Sequence, residues 1–139
     1  MTPNRYGLRF HHFGLAVRST AGAEQVLRGL GYKVGEQLHD PLQNVMLNWC
    51  EHAHMPAVEL VSPTDSPGPL DNFLAAQAEM IYHLCFAADN IAAAVAAISA
   101  DGIRVLPVVP PKAAVLFGGK RVGFYLLKGF GLIEIIEEA

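Results

Sequence analysis

Apolar residues fall along this chain in short alternating runs, and the alternation gives way twice to a helical period. Leu8 to Val17 alternates as a strand does, and Ser19-Thr20 supply an N-cap before the amphipathic stretch Ala21 to Leu30. Gly31 then stands just past the helix end, where a left-handed backbone meets no side-chain clash. Met80 to Ala88 predicts a second such strand, Asp89 or Asn90 its cap, Ile91 to Ala100 a second helix and Gly102 its stop. Further strands are predicted at Tyr32 to Gln37, Val45 to Glu51 and Ala57 to Val61 after the first helix. After the second they are predicted at Arg104 to Val108, Val115 to Phe117, Gly123 to Leu127 and Leu132 to Ile136. Ser62 to Pro69 is turn-rich, and Leu70 to Ala78 suits a short linking helix.

The two halves are copies of one pattern. Shifted by 71 residues, His12, Ala16, Ala21, Ala23, Gly31 and Val34 meet His83, Ala87, Ala92, Ala94, Gly102 and Val105 without a gap. Each copy reads as strand, helix and about three strands. The expected organisation is a single α+β domain of two tandem βαβββ modules, residues 8–62 and 80–137, with a connector over 63–79.

Composition narrows the functions open to such a chain. Its 139 residues make one domain of ordinary size, and 52% hydrophobic against 17% charged residues supports a packed core. A net charge of −3 gives no basic excess to neutralise a phosphate backbone, so nucleic acid is not an expected partner. No run reaches the roughly 18 apolar residues of a membrane span, and the N-terminus lacks the apolar core of a signal peptide. A soluble, cytoplasmic protein is expected. Cys50 and Cys85 lie within apolar runs outside any CxxC pattern and are read as buried, reduced thiols.

Four ionisable residues interrupt strands that are otherwise apolar: His12, Glu59, His83 and Glu134. A buried carboxylate is costly unless it is paired or bound to a metal, so two carboxylates and two imidazoles placed this way call for a shared partner. His12 and His83 are related by the 71-residue shift and Glu59 and Glu134 by 75, which one four-residue loop insertion before the final strand absorbs. Each module thus offers one His on its first strand and one Glu on its last. Together they form a nitrogen and oxygen donor set suited to a divalent ion such as Zn, Ni, Co, Mn or Fe. His11 competes with His12 but falls on the opposite strand face, and the repeat selects His12.

These segments carry a family resemblance. Phe10 to Val17, Val58 to Pro63 with Ser66-Pro67 and Phe73-Leu74, Ile81 to Asp89, and Gly131 to Glu137 resemble, in order and spacing, the vicinal oxygen chelate superfamily that includes glyoxalase I. The layout is most similar to methylmalonyl-CoA epimerase-like members. The resemblance implies an open, U-shaped mixed β-sheet with outer helices, commonly in a homodimer, and it makes His12, Glu59, His83 and Glu134 the metal ligands. It implies an isomerase, epimerase or lyase acting on a small carbonyl or acyl substrate through a metal-stabilised enolate, with Glu134 or Glu59 carrying protons as well. In epimerases of this kind an acidic catalytic base precedes a Gln-x-Val segment. Gln43 and Val45 match it, but Leu42 stands in the acid's place; Asp40 and His39 are the residues that a shifted loop would bring there instead, and both also read as residues of an Asp-Pro turn.

Gln43, Lys112, Lys120 and Arg121 are further candidates for contact with an acidic substrate, although Gly118-Gly119 also reads as a hairpin turn flanked by solvated cations. Two other readings compete with the isomerase. An Fe(II) dioxygenase of the same fold needs only two His and one carboxylate, and a non-catalytic, resistance-type binding protein needs no metal.

Overall fold

The computed structural model describes residues 4–138. By its contacts the chain divides into two units, residues 12–82 and residues 4–11 with 83–138. Both contain a helix laid on one face of a mixed sheet.

In the first module β1 (Arg9–Val17) leads into α1 (Thr20–Gly29), followed by β2 (Lys33–Val34), β3 (Leu38–Asp40), β4 (Val45–Glu51) and β5 (Ala57–Pro63). β1 runs parallel to β5, β5 antiparallel to β4, and β2 and β3 both pair with β4. Alternation gives each strand two faces. Leu15, Cys50, Val58 and Leu60 pack with Leu27 of α1 and Tyr32, while His12, Leu47, Glu59 and Val61 point the other way. Gly31 ends the helix at φ +96° as expected.

The expected strand Tyr32 to Gln37 is instead divided. At Gly35 the backbone N–H donates to the Trp49 carbonyl at 2.8 Å, and a Cβ there would sit 2.6 Å from that same oxygen. The bend turns the Gly35 carbonyl toward buried Asn48, whose Nδ2 donates to it at 3.1 Å. A regular ladder would leave that amide unsatisfied.

The second module follows the same order: β6 (Glu79–Ala88), α2 (Ile91–Ala100), β7 (Val105–Ala113), β8 (Arg121–Leu127) and β9 (Gly131–Glu137). β6 runs parallel to β9, β9 antiparallel to β8 and β8 antiparallel to β7. α2 spans the residues expected of it and has no charged side chain. It buries Ile91, Ala94 and Ile98 against Tyr125, Leu127, Ile133 and Ile135, and Tyr6 and Leu8 pack on the same cluster. Asn90 is the cap, its Oδ1 accepting from the Ala93 N–H at 2.8 Å. Pro107, Pro110 and Pro111 lie in β7, whose register against β8 shifts twice, as befits a strand at the end of its sheet.

Two expected elements take other forms. Val115–Phe117 is a single 3-10 turn closed by Gly118 and Gly119 at positive φ, not a strand. Leu70 to Ala78 forms turns with no regular helix: the Leu74 N–H bonds the Leu70 carbonyl in a single helical turn, and the Leu74 carbonyl accepts from the Arg18 guanidinium. Among the described residues no helix is long and apolar enough to cross a membrane.

Candidate functional site

The residues that interrupt the apolar strands are buried where alternation places them. His12 is 0% exposed, Glu59 4%, His83 2% and Glu134 2%. In the first module Gly14 pairs with Glu59, so the carboxylate lies across from the residue two beyond His12, on the same face, with His12 Nε2 and Glu59 Oε1 3.8 Å apart. In the second module Cys85 pairs with Glu134, again two residues beyond the histidine, and His83 Nε2 lies 3.1 Å from Glu134 Oε1. Parallel pairing between the first and last strand of a module therefore builds one His-carboxylate pair, and the fold builds it twice.

An aromatic ring accompanies each pair. Trp49 is the cross-strand neighbour of Glu59 and packs edge-on against His12, centroids 5.0 Å apart. Phe124 neighbours Glu134 and packs edge-on against His83 at 5.2 Å. The 75-residue shift that relates the two Glu also relates these rings, which local strand patterns alone did not single out. Edge contact helps orient each imidazole, whose Nε2 is the atom near the carboxylate.

The face that holds His83 continues into an apolar wall of Cys85, Val122, Ile136 and Ala114, with Phe117 against it. His11 is half-buried, packs its ring against Phe117 at 5.4 Å and has its pKa lowered chiefly by burial. Burial likewise pushes the Cys50 thiol up to about 11, and neither cysteine is in a disulfide.

The remaining candidates lie outside the two pairs. Gln43 donates through Nε2 to Asp40 Oδ2 at 3.1 Å, and Asp40 Oδ1 accepts from the Leu42 and Gln43 N–H groups, which makes Asp40 the anchor of its turn. Leu42 is 56% exposed. Lys120 Nζ donates to Glu138 at 2.6 Å, Arg121 meets Glu137 at 3.3 Å, and Lys112 is exposed on β7.

A repeated strand-helix-strands unit carrying His on its first strand and Glu on its last is the arrangement that the internal repeat predicts. The family model described as the Glyoxalase/Bleomycin resistance protein/Dioxygenase superfamily matches residues 11–124. The chain belongs to that superfamily. Solved structures share its α+β glyoxalase-like fold. The methylmalonyl-CoA epimerase of Mycobacterium tuberculosis superposes with a TM-score of 0.74 at 21% identity, over 96% of this chain and 88% of that one. A hypothetical protein of Bacillus halodurans C-125 does so at 0.76 and 21%, over 95% of each chain. A variant of the Streptomyces coelicolor methylmalonyl-CoA epimerase in complex with 2-nitronate-propionyl-CoA does so at 0.71 and 23%, over 94% and 98%. No curated protein matches the chain.

The donor chemistry of the two pairs fits a divalent ion of the kind that the resemblance implies. Each pair offers an imidazole nitrogen and a carboxylate oxygen, both withdrawn from water.

Proposed function

We propose that the chain is a metal-dependent isomerase of the epimerase type, acting on a small acyl or carbonyl compound, with His12, Glu59, His83 and Glu134 as the ligands of one divalent ion. The observation that carries this reading is the duplicated, fully buried His-carboxylate pair at identical strand register. Four donors in two equivalent pairs supply two neutral nitrogens and two negative oxygens, which balance a divalent charge.

Bound there, such an ion supplies positive charge beside a substrate carbonyl and so acidifies the neighbouring C–H. Moving the proton falls to the chain's own groups. In this reading a carboxylate oxygen of Glu134 or Glu59 takes it, because Leu42 occupies the place of the epimerase acid and Asp40 spends its oxygens on its turn. His39 does not replace that acid, since it lies on the strand face opposite Glu59. Trp49 and Phe124 hold the imidazoles edge-on. The acyl-CoA complex of the Streptomyces coelicolor relative supports an acyl thioester as the substrate class. A homodimer in the cytoplasm belongs to the same reading, and light scattering and cell fractionation check it.

The decisive experiment is metal content by plasma mass spectrometry on wild type and His83→Ala, joined to deuterium exchange at the α-carbon of acyl thioesters. One ion per chain in the wild type, lost in the variant together with exchange, is expected. Metal-free protein after reconstitution would overturn the reading and leave a binding module. Full activity with retained metal in Glu59→Ala would move the chain to the three-ligand dioxygenase class.

A further inference from the structure

The two modules diverge where their sheets meet the start of the helix. In the second, Glu137 closes β9, and its Oε2 accepts from the N–H of Ile91, the first residue of α2, at 3.0 Å. Its Oε1 is 3.3 Å from Arg121, and Asn90 caps the same helix. A carboxylate of the chain itself thus satisfies the positive end of α2.

In the first module the 75-residue shift puts Ser62 where Glu137 stands and Met46 where Arg121 stands, while the 71-residue shift puts Ser19 at Asn90 and Arg18 at Asp89. Ser19 makes no side-chain cap. One acid has become a neutral hydroxyl and another a guanidinium, and the start of α1 has no anion of its own. Ser62 is only 5% exposed, and among the described residues its hydroxyl makes no hydrogen bond. It lines a cavity of about 610 Å³ together with Arg18, Thr20, Gln37 and His39. Strand register sets Ser62, Met46 and His39 side by side on the face turned away from Glu59. Arg18 is held at this edge by bonding the Leu74 carbonyl. Asp65, the acid of the lining, is solvent-exposed, so water screens its charge.

We propose that this cavity is an oxyanion site, taking the phosphate or carboxylate group of a small metabolite where the second module seats its own Glu137. The Ser62 hydroxyl and the N–H groups of the first turn of α1 donate to the anion, and Arg18 balances its charge. The site lies on the helix-bearing face, opposite His12 and Glu59, and does not depend on the metal reading.

The test is a ¹H–¹⁵N titration of the full chain with inorganic phosphate and, separately, with acetate at constant ionic strength. Saturable shifts at Thr20, Ala21, Gly22 and Ser62 are expected, and the anion that produces them distinguishes a phosphate from a carboxylate ligand. Ser62→Ala should weaken binding about fivefold, the loss of one hydrogen bond. Ser62→Glu, which installs the carboxylate of the second module, should abolish the shifts and raise the Tm. Absence of saturable shifts at α1 with either anion overturns the proposal, as does undiminished binding in Ser62→Glu. Should Ser62→Glu fail to fold, undiminished binding in Ser62→Ala overturns it instead. Shifts at α1 are read separately from those at His12 and Glu59, so this proposal and the ligand set fail independently.

Discussion

Replacing Glu137 tests whether a carboxylate at the strand end holds the following helix. Its Oε2 accepts from the Ile91 N–H at 3.0 Å, a charge-assisted bond to a backbone donor that has no partner within its own helix. Such bonds contribute about 1.5–3 kcal/mol, with the helix dipole contained in that figure. The Arg121 pair adds little, because the Arg121 side chain is 58% exposed, and exposed pairs contribute about 0–1 kcal/mol. Glu137→Ala should therefore cost about 2 kcal/mol, and Glu137→Gln, which keeps an acceptor and loses the charge, about 1 kcal/mol. For a chain of this size that corresponds to a Tm lowered by about 7 °C in the alanine variant. Urea unfolding at pH 7, followed by circular dichroism with an unchanged m value, measures the difference directly. An alanine variant within about 0.5 kcal/mol of wild type would refute the reasoning. So would an Arg121→Ala variant as costly as Glu137→Ala, since the carboxylate would then act through its ion pair and not through the helix.

Leu42→Glu places an acid immediately before Gln43 at an exposed position, so it should leave the Tm unchanged and raise α-proton exchange on methylmalonyl thioester by about 100-fold or more, the usual contribution of a positioned base. No gain in exchange would show that the Gln43 turn does not face the substrate. With the Cys50 thiol pushed up to about 11, roughly one thiol in a thousand is ionised at pH 8, so Cys50 should resist Ellman's reagent in the native protein and react fully in guanidinium. Gly31→Ala should cost about 1–2 kcal/mol by chemical denaturation, because the residue sits at φ +96° and its Cβ would meet His52 Nε2 at 3.0 Å. The hydrogen bond from Lys120 holds the Glu138 carboxyl below its ordinary range, so its stabilisation is present above the unfolded carboxylate range and lost as pH falls through the lowered value. A Lys120→Ala variant should show a slightly flatter acid limb of the stability profile.

Much of this fold follows from local signals. α2 begins and ends where its Asn90 cap and Gly102 stop place it, because both devices act within one turn. The burial and pairing of His12 with Glu59 and of His83 with Glu134 follow for a related reason, since a charged group inside an apolar strand is too costly to stand there without a partner. What escaped was decided by distant atoms. The break at Gly35 answers the buried amide of Asn48, which lies on another strand. Leu70 and Leu74 are spaced as on a helix and are both 1% exposed, yet the Leu74 carbonyl bonds Arg18, which no local pattern announces. Val115–Phe117 is apolar enough for a strand, but two glycines at positive φ curl it into a turn. Trp49 and Phe124 are visible only when the 75-residue shift is carried beyond the glutamates.

The shared register of the two His-carboxylate pairs separates what holds the donors from what surrounds them. Each pair is set by which residues of two parallel strands stand opposite, and a slip of one residue would turn the carboxylate to the helix face, where Leu60 and Ile135 are packed. The donor pairs therefore inherit the rigidity of the core. The connections carry no such duty: the second module holds four more residues than the first between its His and its Glu, all within the segment from Val105 to Arg121, and its pair keeps the same register. Loops on this scaffold can lengthen, shorten or change composition without moving either His-carboxylate pair. Selection for a new substrate can act on them while the buried donors stay in place.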